Sequence, residues 1–253
     1  MNFRMETIVP ADIPSLIKLK SQAFADFSSL YPINILPDNL AMWEVHWTAM
    51  FLERPFMQFY KMVDSETGDG RNYSRIMASI WWQEPGTYGD DPAFHQCGAD
   101  CLPPGVNIDA INYIWERMEK VLSIYSTLAP NKAIRILSMA VRPDIQRMGL
   151  GTEMMRFLLA RSDRLGLRTC LTPLYAQRML FERLGFRTLA RWRADTQLYG
   201  GGMLLGGVVM SRVPPRLITP SVVPHNKVSN KLPGIMGPPA RPARRKDQGR
   251  SSK

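Results

Sequence analysis

The sequence predicts a mixed α/β sheet covered by helices. Two observations carry that expectation. Short extended apolar segments alternate with amphipathic helical stripes in the order β-α-α-β-β-α-β-α-β-α-β-β, with no internal repeat. In addition, a strand over 134–141 passes through a turn and two glycines into a helix over 152–165.

The elements follow in order. Residues 3–9 form a short extended segment. Asp12 stands where a helix N-cap belongs and Pro14 falls in the first turn. Ile13, Leu16, Ile17, Leu19 and Phe24 then recur near helical spacing. A second helix is predicted over 37–52, because Trp43, Trp47, Met50 and Phe51 share one face at i, i+4, i+7 and i+8. Segments 56–63 and 75–82 read as strands, joined as a hairpin through the polar stretch 64–72. Residues 84–105 are rich in turn formers and read as irregular. A helix over 109–125 carries the stripe Ile111, Ile114, Trp115, Met118, Val121 and Leu122. After the strand at 134–141 and the helix at 152–165 come a strand at 168–172 and a helix at 175–184. Strands at 186–193 and 203–212 close the domain.

Composition bounds the function. A chain of 253 residues suits one sizeable domain. Its hydrophobic fraction of 45% is that of a soluble globular protein. No run approaches the roughly 18 apolar residues a membrane helix needs, so no membrane partner is expected. Residues 1–6 lack the apolar core of a signal peptide. Three cysteines, an odd number, give no disulfide framework. A reducing compartment is expected, cytoplasmic or nuclear. The net charge of +10 is uneven: residues 214–253 hold nine Lys/Arg against one Asp, and the rest holds 23 against 21 acids. The body, 1–213, is therefore near neutral and presents no case for gripping nucleic acid. The tail, 214–253, has eight prolines and few large apolar groups, the composition of a disordered segment. Its cluster Arg244, Arg245, Lys246 leaves two readings open, a solvated end or a segment for nuclear import or an acidic partner.

The chemistry concentrates at Gln146-Arg147-Met148-Gly149-Leu150-Gly151, between strand and helix. Two glycines let the backbone approach a ligand closely. A helix start supplies unpaired N–H groups and the positive end of the dipole. Together they make an anion site suited to a pyrophosphate, with Arg142 and Arg147 adding charge nearby. Three phosphate loops compete for the segment. A P-loop needs Lys after its second glycine, but Thr152 follows Gly151 directly. A dinucleotide fingerprint needs a third small residue where Met154 stands, and an acidic ribose partner absent from 171–178.

What remains resembles the GNAT acyltransferase superfamily, whose loop reads Gln/Arg-x-x-Gly-x-Gly/Ala between a strand and a helix. Gln146, Gly149 and Gly151 match it. The run Leu180-Phe181-Glu182-Arg183-Leu184-Gly185-Phe186 is similar to the family's aromatic-x-x-x-Gly-Phe signature. The resemblance spans about 3–212 and is firmest over 134–186. It implies a GNAT fold, a central sheet of six to seven strands that splays between the fourth and fifth. It further implies acetyl-CoA as co-substrate and a small-molecule or protein amine as acceptor. The pantetheine would lie along the backbone of Met139, Ala140 and Val141. The pyrophosphate would meet the N–H groups of Arg147, Met148, Gly149, Leu150, Gly151 and Thr152.

The acyl group would move by direct attack of a neutral amine on the thioester, with positioning supplying much of the rate. The resemblance places the oxyanion donor, a backbone N–H, near Ala140 or Val141. Many family members carry a Tyr, proposed to protonate the thiolate, where Phe181 stands, and Phe has no proton to give. Phe181 is then expected either against the cofactor arm or in the core. Tyr175 lies six residues earlier, about 240° around a helix, and would not substitute from the same face. Glu84, after the 75–82 strand, and His46, on the second helix, are the candidate bases. A water-mediated path without a single base is the alternative. Trp43, Trp47, Phe51, Trp81 and Trp82 either line a pocket for an apolar amine or pack the core. His95, Cys97 and Cys101 are close in sequence but lack a CxxC pair and a fourth ligand, so no metal is expected. Cys170, in a predicted buried strand, has no His/Asp company of a nucleophile. A GNAT-fold protein that binds acyl-CoA but catalyses little is the rival reading, and a nuclear protein acetyltransferase a third.

Overall fold

A computed structural model describes residues 3–25, 37–54, 56–65, 76–85, 107–128, 133–199 and 204–215. Within them strands and helices follow one another in the predicted order. They are β1 (Phe3–Thr7), α1 (Ile13–Ala23), α2 (Pro37–Glu53), β2 (Met57–Asp64), β3 (Ile76–Gln83), α3 (Ile108–Leu128), β4 (Ala133–Val141), α4 (Leu150–Leu165), β5 (Arg168–Leu171), α5 (Arg178–Arg183), β6 (Arg187–Asp195) and β7 (Leu204–Arg212). All of these lie within the unit Met1–Thr219. The tail expected from 214 onward lies, past Pro215, outside the described residues, as do the hairpin tip and His95, Cys97 and Cys101. No helix of the described residues is long and apolar enough to cross a membrane.

The strands form one sheet in the order β1-β2-β3-β4-β5-β7-β6. Only β4 and β5 run parallel; every other neighbouring pair is antiparallel. The α4 crossover between β4 and β5 enforces that parallel pair, because a hairpin cannot join parallel strands. Each face carries its own apolar cluster. On one face α1 and α2 bring Leu16, Ile17, Trp43 and Trp47 onto Phe59 and Trp81. On the other, α4 brings Met154, Met155 and Leu158 onto Ile80, Trp82 and Ile134. The pleat of β3 separates the two, since Trp81 and Trp82 are consecutive and point to opposite faces. A third, small cluster seats Ala110 of α3 on Trp192 and Ala194 of β6.

Asp12 occupies the N-cap position of α1 but does not cap it. Its buried carboxylate accepts hydrogen bonds from Val9 N–H (2.9 Å) and Lys61 Nζ (2.7 and 2.8 Å). That pair ties the start of α1 to β2, a tertiary contact that local capping rules do not contain.

The feature that matters for function is where β4 leaves β5. The two pair only from Ala133↔Arg168 to Ile136↔Leu171. One residue further, the β3–β4 register shifts: Ile136 faces Trp82, Ser138 faces Trp81, and Leu137 is extra. Such a bulge bends its strand and raises the local twist. From Ser138 to Val141, therefore, β4 is paired with β3 and, among the described residues, has an open second edge.

Candidate functional site

The open edge has a defined chemical character. Arg142 N–H donates to Met77 carbonyl on β3 at 2.9 Å. Backbone groups of successive strand residues point to opposite sides, so Ala140 also spends its N–H and C=O on β3, opposite Ser79. Met139 and Val141 then direct their backbone groups away from β3, to the open edge. This refines the oxyanion expectation: Val141 and Met139 present an N–H there, and Ala140 does not.

Past Val141 a short 3-10 turn, Pro143–Ile145, leads to Gln146. Gln146 Nε2 donates to Val141 carbonyl at 3.1 Å and fastens the loop to the strand end. Arg147 (φ 66°) and Gly149 (φ 91°) both adopt the left-handed region, Arg147 as the one non-glycine among the described residues to do so. A left-handed non-glycine costs roughly 1–2 kcal/mol, so the tertiary structure holds this loop against its local preference. Gly149 ends the loop at the N-cap of α4 without a side-chain cap. The first helical bond runs from Glu153 N–H to Gly149 carbonyl at 3.0 Å, leaving Leu150, Gly151 and Thr152 with N–H groups that have no acceptor in the helix. Three donors and a helix dipole converge there, which suits a phosphate.

Strand edge and helix start line one cavity of about 530 Å³. Of the residues expected to hold the cofactor, Met139, Ala140, Val141, Gln146, Arg147, Gly149, Leu150, Gly151 and Thr152 line it. Gly151 faces the wall at close range: a Cβ there would lie 3.6 Å from Met139 Cε and 3.8 Å from Val141 Cγ2. Met148 does not line the cavity, and its side chain is exposed. Arg142 is not a free charge, because Asp144 holds its Nε at 2.6 Å. Arg183 joins Arg147 on the wall instead.

Phe181 is 3% exposed and packs edge-to-face on Phe186, with ring centroids 5.9 Å apart. It fills core, while Gln177, Leu180 and Arg183 line the cavity. These recur at i, i+3 and i+6, one face of a helix, and Phe181 stands a further 100° around it. The aromatic position of the signature is therefore structural in this chain. Sequence reasoning also missed Ala23 and Phe24, at the end of α1, on the same wall.

The acid–base candidates do not gather at the cavity. Glu84 accepts from Arg161 Nε on α4 at 2.9 Å and from Trp82 Nε1 at 3.1 Å. It follows Gln83, which pairs with Arg135 at the opposite end of β4 from the loop. Its carboxylate is engaged by α4, and it does not line the cavity. Tyr175 opens a separate 3-10 turn, Tyr175–Gln177, rather than continuing α5. Its ring lies against Gly206, where a Cβ would meet it at 3.0 Å, and its buried hydroxyl has no partner among the described residues. His46 stacks edge-on to Trp43 on α2, 6.1 Å between centroids, and does not line the cavity. Burial, and secondarily Arg54, holds its pKa below the ordinary histidine value. The tryptophans take the core alternative: Trp43, Trp47 and Trp81 interlock edge-on under α2, and Trp82 stacks on Tyr60 across the sheet. Cys170 is buried and burial pushes its thiol up, away from nucleophile chemistry.

Comparison with known proteins agrees with this geometry. Residues 111–188, from α3 into β6, match the family described as acetyltransferase (GNAT) domain. No curated protein matches the sequence. Among solved structures, the chain is similar to a Corynebacterium glutamicum protein described as histone acetyltransferase HPA2 and related acetyltransferase. The two share 16% identity at a TM-score of 0.51, over 88% of this chain and 100% of that one. It is also similar to a spermidine N-acetyltransferase chimera from Vibrio cholerae, at 10% identity and a TM-score of 0.50, over 84% of this chain and 96% of that one. At such identities the likeness establishes the fold: a seven-stranded mixed sheet, flanked by helices, with β4 and β5 parallel.

Proposed function

Because the chain belongs to the GNAT superfamily, by its acetyltransferase domain and its fold, we propose that it moves an acetyl group from acetyl-CoA to a primary amine. The observation that carries this reading is the meeting of two unspent donor sets in one cavity, the open edge of β4 and the start of α4. An extended chain with amides, ending in a pyrophosphate, complements that arrangement group by group. Pantetheine amides pair with the backbone of Met139 and Val141 as an added strand would. The pyrophosphate takes the N–H groups of Leu150, Gly151 and Thr152, with Arg147 and Arg183 beside it. The thioester then falls where β4 diverges from β5, and an outward N–H of Met139 or Val141 stabilises the developing oxyanion. The neutral amine attacks the thioester carbon, the C–N bond forms, and the C–S bond breaks with its electron pair on sulfur. A thiolate leaves without obligatory protonation, which fits a site with Phe181 turned into the core.

Isothermal titration of acetyl-CoA, paired with coenzyme A release across a panel of small amines and lysine peptides, tests this reading. Tight binding with release dependent on amine supports it. Absence of acetyl-CoA binding overturns it. Tight binding with silence toward every amine favours the rival reading, an acyl-CoA-binding protein without transfer. The placement of Glu84, Tyr175 and His46 off the cavity is the observation on that side.

A further inference from the structure

The helix that borders the cavity carries a buried amine with no counter-ion among the described residues. Lys20 is 6% exposed on α1. Its Nζ lies 3.0 Å from the ring centroid of Trp81 and 4.7 Å from that of Trp47. Among the described residues no carboxylate pairs with it and no hydrogen bond engages its nitrogen. Lysine is rarely buried without a partner, because desolvating its charge is costly. An amine held this way favours its neutral form, and burial alone lowers its pKa well below the ordinary lysine value.

Its position is the second half of the argument. Ala23 and Phe24, three and four residues on along the same helix, line the acetyl-CoA cavity. Trp81 pairs with Ser138, just past the bulge and two residues before Ala140. Ala140 belongs both to the cavity wall and to the apolar cluster of Trp47 and Trp81. The amine thus sits on the α1 face of the sheet, one helical turn behind the cavity wall formed by Ala23, Phe24 and Ala140 rather than on it. The same region holds buried polar atoms with no partner among the described residues: Trp81 Nε1, Ser79 Oγ and Trp43 Nε1. Ser79 and Trp81 alternate with Ile80 and so share one face of β3. Buried donors left unpaired are costly, so a cluster of them beside a lone amine marks a place suited to a polar occupant.

We infer that Lys20, set behind the cavity wall, accepts the proton of the incoming amine through one bridging water, an inference that rests on the transferase reading above. The acceptor arrives as an ammonium ion. Neutral Lys20 takes one proton from it through that water, freeing the lone pair that attacks the thioester carbon. The C–N bond forms, the C–S bond breaks, and the electron pair leaves on the coenzyme A sulfur. That thiolate takes the surplus proton from the new amide nitrogen, and Lys20 returns its own to solvent. While Lys20 is charged, the faces of Trp47 and Trp81 stabilise it by cation–π attraction.

The described parts of the elements packed around this amine carry few other titratable groups. On α2 there are Glu44 and His46, the latter set against Trp43. On β2 there is Lys61, held by Asp12 and Glu6 at the far end of α1. On β4 there is Arg135, beside Gln83. The described part of β3 has none.

The test is the pH dependence of kcat for the full chain with saturating acetyl-CoA and its best amine, in wild type, Lys20→Met and Lys20→Arg. Lys20→Met keeps an unbranched chain against the indoles, and Lys20→Arg keeps permanent charge. Expected is a wild-type kcat that rises with pH through one ionisation below the ordinary lysine range. Both variants should lose that ionisation and about 10²–10⁴-fold in kcat, the usual contribution of general base catalysis, with acetyl-CoA affinity retained. Variants with wild-type kcat and pH profile would overturn the role of Lys20 and leave the transferase reading standing. A wild type that binds acetyl-CoA but acetylates nothing would overturn both. Should neither variant fold, a wild-type kcat that is flat between the carboxylate and ordinary lysine ranges still overturns the role.

Discussion

Gln146 donates its side-chain amide to the carbonyl of Val141, 3.1 Å away, and so closes the loop onto the strand that presents the open edge. The bond fixes the distance between the two donor sets that the proposed cofactor would span. Gln146→Ala removes it and should weaken acetyl-CoA binding by about 0.5–1.5 kcal/mol, a few-fold to roughly tenfold in Kd. Gln146→Glu should be worse, because a carboxylate cannot donate to the carbonyl and adds negative charge beside the phosphates. Titration calorimetry on both variants checks the order.

Gly149 separates backbone geometry from charge. With φ at 91°, any side chain there is strained, yet a Cβ would meet nothing within 4 Å. Gly149→Ala should thus cost about 1–2 kcal/mol through the backbone alone. Gly149→Asp carries the same strain and adds a carboxylate at the helix start, so it should bind acetyl-CoA at least tenfold more weakly than Gly149→Ala. Equal affinities for the two would mean that the pyrophosphate does not lie where we place it.

The contrast between legible and illegible parts follows from range. The strand, glycines and helix over 134–165 were readable because their signals are local: apolar spacing, a helix start, a backbone that must turn left-handed. Side-chain direction was not readable where it depends on distant partners. Glu84 follows a strand as expected, but its bond to Arg161 joins residues 77 apart in sequence. Local spacing puts Tyr175 on a continuous helix, whereas the 3-10 turn that it opens sets its ring on Gly206. Lys20 was legible in principle. It stands at i+4 from Leu16 and i−4 from Phe24, inside the apolar stripe of α1, where a solvated lysine does not belong.

Glu84→Gln tests the reassignment of that carboxylate. It breaks the ion pair to Arg161 while retaining an acceptor for Trp82 Nε1. The pair is only partly shielded from solvent, so the expected loss of stability is about 1 kcal/mol or less in chemical denaturation. The kcat should stay within a few-fold of wild type. A loss of several orders of magnitude would return Glu84 to the list of bases.

Tyr175→Phe should behave in the opposite sense to a catalytic substitution. The hydroxyl is buried and unpartnered among the described residues, and an unpaired buried donor costs about 1–3 kcal/mol. Removing it leaves the ring against Gly206 and should hold or raise Tm while leaving acetyl transfer unchanged. A marked drop in kcat with intact Tm would place the hydroxyl at the thiolate after all.

The burial of Lys20 has a consequence for stability that is independent of catalysis. Unfolded, its amine ionises at the ordinary lysine value, about 10.4. Folded, burial lowers its pKa well below that value. Between the two, the unfolded chain binds the extra proton, so stability must rise with pH across the window and fall as pH drops through it. Below the folded pKa both states are protonated and the dependence ends. His46 is lowered in the same sense, but its window closes near pH 6.5 and leaves the alkaline range to other groups. Other lysines and tyrosines titrate there too, so the informative quantity is the difference between wild type and Lys20→Met in urea unfolding from about pH 7.5 to 9.5. Wild type should gain on the variant steadily as pH rises. At the lower end the variant should match or exceed it, because methionine fills the Trp47–Trp81 cage without a charge to desolvate. A constant difference across that range would mean that Lys20 ionises in the fold as it does in water.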